Sequence, residues 1–294
     1  MIINLLLLIL KILGVLYLTY QLYNFAKHYK NLENYSYLKN ILIGLPTGFL
    51  DVFGIGSFAT TTLLLRKTKQ VDDKYLPGVL NVSFAIPGTL EAIFFIDNVS
   101  IDPTTLVVLT ISGILGSFLC SLFVSKLCRK KIRYILGIAL LISALFILIN
   151  QLNLVQIGGD KYMLSGLNLI FGAIGMFLIG AGMCLGIGLF APGMALLYLL
   201  GMSPIAVLPI LMGCCAFIML TCGYNFMRKE AYEIKNSTAL TIGYSIGVLM
   251  ASFIVININI KLLKWIIIIT ILYTSIGLIR SALKGDEKNE KTIQ

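Results

Sequence analysis

A single histidine, His28, stands in a chain of 294 residues, and it lies outside every long apolar run. A histidine-based metal cluster and a serine–histidine pair at membrane depth are thereby excluded. The six cysteines (Cys120, Cys128, Cys184, Cys214, Cys215 and Cys222) show no zinc-ligand spacing, and all but Cys128 fall within apolar segments, where packing as a small apolar side chain is the expected role. No Gly-x-x-x-x-Gly-Lys-[Ser/Thr] motif is present, so no nucleotide is implied, and the expected set of cofactors and metals is empty. Charge is scarce as well, at 12% of residues, with only 13 Asp and Glu. The chain is expected not to be an enzyme, and no soluble domain is expected.

Apolar residues fill the space left by these absences. They make up 58% of the chain and raise the mean hydropathy to +0.94, more apolar surface than a soluble domain of this size buries. Runs long enough to span a bilayer lie near 2–23, 40–65, 77–96, 104–125, 132–150, 164–200, 204–225, 236–257 and 264–280. The first resembles a signal peptide, but Lys11 interrupts it and Tyr17-Leu-Thr-Tyr20 offers no small-residue cleavage site, which predicts a retained anchor helix. The net charge of +10 sits largely in short loops such as 126–133, where orientation in the bilayer accounts for it without nucleic acid. Most tyrosines, and Trp265, fall near predicted span ends, as an interfacial belt requires.

The chain repeats itself. Gly48-Phe-Leu-Asp-Val-Phe-Gly54-Ile-Gly56-Ser-Phe58-Ala59 returns without a gap as Gly180-Ala-Gly-Met-Cys-Leu-Gly186-Ile-Gly188-Leu-Phe190-Ala191, and Pro77 falls on Pro209 at the same offset. Residues 1–39 then form an anchor helix and basic loop, 40–150 a first transmembrane repeat, and 151–294 a second repeat with a short polar tail. If the glycine-broken segments each enter and leave on one side, 19 Lys and Arg share a side against 3 opposite, the distribution the positive-inside rule favours. Each repeat then holds one re-entrant or hairpin element plus three crossings, an odd number, so the second copy is inverted. The predicted fold is an all-α integral membrane protein of two inverted repeats with one extra N-terminal helix. Its N-terminus is expected outside and its tail in the cytoplasm.

A glycine break at membrane depth must line a cavity or be buried in protein. The helix that restarts after it presents unpaired N–H groups and a positive dipole end, an anion site that needs no cationic side chain. This makes Gly54, Gly56, Ser57, Phe58, Thr60, Thr61, Gly186, Gly188, Phe190 and Pro192 candidate substrate-binding residues. Asn81, Cys184 and Cys215 are candidate lining residues. Asp51 and Glu91 are the acidic residues inside predicted spans; an intramembrane carboxylate is costly, which makes each a candidate proton carrier. Two plainer readings stand beside these: the glycines serve close helix packing alone, and Glu91 is a neutral, hydrogen-bonded core residue.

The segments Leu45-Pro-Thr-Gly-Phe-Leu-Asp-Val-Phe-Gly-Ile-Gly-Ser-Phe-Ala and Leu76-Pro-Gly-Val-Leu-Asn-Val-Ser-Phe-Ala-Ile-Pro-Gly-Thr-Leu-Glu-Ala resemble the sulfite exporter TauE/SafE family over about residues 40–280. That resemblance implies a multi-pass transporter of the bacterial inner membrane carrying sulfite or a small organosulfonate. Ser57 and Phe58 in the first copy, and Leu189 and Phe190 in the second, stand where the family commonly has further glycines. The expected partners are a small anion, protons or another coupling ion, and lipid. A passive anion channel and a non-transporting scaffold are the competing functions. Oligomeric state is not legible.

Overall fold

The computed structural model of the chain describes residues 2–28, 35–52, 57–72, 75–98, 101–123, 159–184 and 188–255, with isolated residues between 134 and 152 and between 265 and 283. Gly54, Gly56, Gly186 and most of the predicted spans 132–150 and 264–280 lie outside the described residues. Helices are α1 (Ile2–Lys27), α2 (Tyr37–Asp51), α3 (Ser57–Lys67), α4 (Leu76–Asn98), α5 (Pro103–Phe123), α6 (Gly166–Met183), α7 (Phe190–Leu199), α8 (Pro204–Arg228) and α9 (Ile234–Val255). No strand occurs among the described residues. Five of these helices, α1, α4, α5, α6 and α8, are long and apolar enough to cross a membrane.

Local chemistry sets the helix boundaries. The Ser36 hydroxyl caps α2 by accepting from the Lys39 N–H at 3.4 Å. Asp102 does the same for α5, accepting from the Thr105 N–H at 2.7 Å. Pro204 occupies the first turn of α8, where its missing N–H costs nothing. Pro209, the counterpart of Pro77, lies inside this helix. The short arms α3 and α7 end alike: the Gln70 N–H donates to Leu65 O at 2.9 Å and the Met202 N–H to Leu197 O at 3.0 Å. Each turn passes through a left-handed residue, Lys69 (φ 54°) or Gly201 (φ 85°), and all three positions are related by 132 residues.

Both broken segments return to where they began. In the first, the Ser36 N–H donates to Gln70 Oε1 at 3.1 Å. In the second, the Ser203 N–H donates to Lys161 O at 2.8 Å, within a bridge between Lys161 and Met202. The eighteen-residue α6 is long enough to cross, yet its segment folds back to its own start. The Leu164 N–H donates to Thr105 Oγ1 at 2.9 Å, placing this mouth beside the first turn of α5. The first mouth lies beside the start of α9, where the Asp72 N–H donates to Glu233 Oε1 at 3.0 Å and Asn236 joins Asn40, Glu233 and Gln70 O. Lys229 Nζ, at the end of α8, donates to Ser121 O in the last turn of α5 at 2.9 Å.

The packing exchanges partners between the copies. α2 lies along α9 and α6 along α5; α4 and α8 pack on each other at the centre, and each also touches the partner's outer helix, α9 or α5. Backbone comes into direct contact at both long arms. A Cβ at Gly48 would collide with Tyr244 O and one at Gly247 with Leu45 O; one at Gly180 would collide with Gly113 O and one at Gly116 with Phe177 O. The second set is the first displaced by 132 residues in the arm and 131 in the helix it meets. Such approach is what glycine supplies in a bilayer, where helices gain little from apolar burial and depend on close packing. α1 packs on α4, α8 and α9, with Tyr17 Oη donating to Val82 O at 3.4 Å. Lys11 lies on its exposed side with no ionic partner among the described residues, as a snorkelling lysine does.

Candidate functional site

α2 ends at Asp51, and the chain resumes as helix at Ser57. Across this break Asp51 Oδ1 accepts the Ser57 N–H at 2.9 Å, so the start of α3 is capped by a carboxylate from the preceding helix. Both residues are buried, at 2% exposure. Glu91, 1% exposed on α4, is within electrostatic reach of Asp51, and Cys215 of α8 is within reach of both carboxylates. Glu91 does not lie at an exposed helix end. Nor is its carboxyl fully satisfied, because Oε1 has no hydrogen-bond partner among the described residues.

Tyr244 closes this cluster from α9. It is fully buried, its hydroxyl faces Asp51 and Ser57, and it makes no hydrogen bond of good geometry. Its ring stacks on Phe84 at 4.0 Å between centroids, and Phe84 meets Phe58 at 5.4 Å. Tyr17 and Tyr244 are thus buried away from the expected interfacial belt. Of the α3 hydroxyls, Thr60 Oγ1 donates to Ser57 O at 3.0 Å, while Thr61 Oγ1 is buried without a partner among the described residues.

The second break is built differently. α6 ends at Met183, whose carbonyl accepts from Asn81 Nδ2 of α4 at 3.0 Å. Asn81, expected as a lining residue, satisfies an orphan carbonyl at a helix end. Cys184 and Cys222 form a disulfide pair with Cα atoms 6.1 Å apart, joining the end of α6 to α8. The small apolar packing expected of the cysteines does not describe this pair; a separation of 38 residues carries no local signal. Cys215 remains a free, buried thiol. α7 begins at Phe190, with Pro192 in its first turn, and no side chain caps it. A Cβ built on Gly188 would lie 4.0 Å from Phe58 Cβ, so the second break meets the start of α3.

Asp51, Glu91, Ser57, Phe58, Thr61 and Gly188 are therefore brought together. Tyr244 and Phe84 were missed by sequence reasoning. A tyrosine beside Gly243 and three residues before Gly247 in an apolar helix was the available signal. Two like unit charges about 4 Å apart repel by about 4 kcal/mol at an effective dielectric constant of about 20, nearly three decades in a binding constant. Two buried carboxylates within electrostatic reach of each other make the protonation state of the cluster matter for any further negative charge.

Helices of this length and hydropathy, broken at glycines that meet inside the bundle, define a multi-pass helical membrane protein. Residues 2–147 match the family model described as Sulfite exporter TauE/SafE. The match, over just under half of the chain, is to a family of membrane transporters. The match includes α1, which the sequence resemblance had left out, and it stops short of the second repeat. No curated protein and no solved structure matches the chain.

Proposed function

We propose that the protein is a secondary transporter of a small anion, sulfite or a short organosulfonate, bound where the two breaks meet. The contact between Gly188 and Phe58 carries this reading, because it places the uncapped start of α7 next to the start of α3. Backbone N–H groups at the two starts bind the anion, with the Thr61 hydroxyl a spare donor for its oxygens and the Tyr244 hydroxyl beside it facing Asp51 and Ser57. Asp51 and Glu91 exchange the coupling protons.

Two inverted repeats in a bacterial inner membrane form the scaffold of this proposal. The exchanged packing of α2 on α9 and α6 on α5 supports it, as does the placement of the two mouths near opposite ends of α5. Such a scaffold lets the repeats rock about a fixed central site. Uptake into proteoliposomes of sulfite, methanesulfonate, sulfate and acetate, with and without a pH gradient, is the test. One sulfur oxyanion should enter saturably and respond to the gradient. Flux that never saturates would identify a channel, and no flux from folded protein would remove the transport reading.

A further inference from the structure

One of the two helix starts already holds a carboxyl oxygen. Asp51 Oδ1 sits on the Ser57 N–H at 2.9 Å, whereas the start of α7 has no side-chain cap. Around the occupied start, Thr61 Oγ1 is buried without a partner among the described residues, and the buried Tyr244 Oη faces Asp51 and Ser57. The Tyr244 hydroxyl is placed to donate to Asp51, and the Thr61 hydroxyl is a donor the carboxylate does not use. An oxyanion with three oxygens has acceptors for the helix start and for both of them.

We propose that Asp51 is a built-in competitor of the transported anion: ionised, its carboxylate occupies the start of α3, and on taking up a proton it yields that position to the substrate. This rests on the reading of the breaks as an anion site. The argument is one of charge and space. Glu91 of α4, Cys215 of α8 and Tyr244 of α9 lie within electrostatic reach of Asp51, and Lys11 of α1 lies on the exposed side of its helix. Among the described residues no Lys, Arg or His is buried in the cluster. With no cation to offset it, a substrate charge cannot join an ionised Asp51 and Glu91 at one helix start, so a proton must arrive with the anion. Linkage makes the relation reciprocal: anion binding raises proton binding by the factor by which protons raise anion affinity.

The test is equilibrium binding of radiolabelled methanesulfonate, whose charge is constant over the range, to the full chain from about pH 5 to about pH 8. The sign follows from the competition: affinity is full where Asp51 is protonated and is lost as pH rises. Wild type should weaken by about tenfold per pH unit once Asp51 ionises, and should take up about one proton per anion bound in weakly buffered solution. Asp51→Asn keeps an oxygen to cap Ser57 but carries no charge, so it should bind with an affinity flat to about twofold across the range. Glu91→Gln retains the competitor and should retain the slope.

An unchanged slope in Asp51→Asn, loss of all binding in that variant when folded, or a slope abolished by Glu91→Gln would overturn the assignment. Should Asp51→Asn fail to fold, the wild-type proton count decides, and anion binding without proton uptake overturns it. Each of these leaves the anion site standing. Failure of wild type to bind at any pH would instead overturn the transport reading itself.

Discussion

Glu91→Gln is expected to abolish accumulation driven by a pH gradient while anion exchange across proteoliposome membranes continues. Glu91 is buried beside Asp51 with one carboxyl oxygen unpartnered, which suits a group that passes a proton rather than one that holds a helix in place. Exchange returns the same site loaded in both directions, so no proton has to leave it. Net transport requires the empty site to return after giving up its proton, and this step needs Glu91. We expect gradient-driven uptake to fall at least about tenfold, with exchange reduced by less than about threefold, a separation of more than about 0.7 kcal/mol in the two barriers. Equal loss of both would assign Glu91 to anion binding or to folding. Glutamine has nearly the same shape, so a folding defect would show as lower thermal stability.

Gly188→Leu is expected to remove transport and leave the fold intact. A Cβ at this position meets Phe58 Cβ only at ordinary contact distance, so the first added carbon is accommodated where the two breaks meet. Anion affinity should fall by at least about tenfold, or about 1.4 kcal/mol. Gly180→Leu is the informative contrast. There the first added carbon collides with Gly113 O at the α6–α5 contact, so the helices must separate, at a cost of about 1–3 kcal/mol or more. The thermal midpoint in detergent should drop for Gly180→Leu and hold for Gly188→Leu. Equal destabilisation by both would mean that the glycines serve helix packing alone.

The close backbone contacts could be read from the sequence because their glycines recur at a fixed offset. An offset of 132 relates Gly48 to Gly180, and the structure uses both at backbone contacts. The same offset relates turns the sequence comparison did not single out, at Gln70 and Met202. Asp51 and Glu91 were legible as well, since carboxylates stand out in apolar spans. What joins distant segments was not. Asn81 reaching Met183 O, Cys184 meeting Cys222, and Tyr244 descending on Asp51 all depend on which face of a helix turns inward. In a membrane both faces are apolar, so periodicity does not tell the lipid side from the protein side.

Proximity of positions 58 and 188 tests the meeting of the two breaks most directly. In protein whose Cys120, Cys128, Cys214 and Cys215 are replaced, Phe58→Cys combined with Gly188→Cys places two Cβ atoms about 4 Å apart, within the range a disulfide spans. Mild oxidation in native membranes should join them rapidly, and methanesulfonate should slow the reaction by occupying the space between. Absence of a cross-link, or a rate indifferent to the anion, would contradict a shared site at the two helix starts.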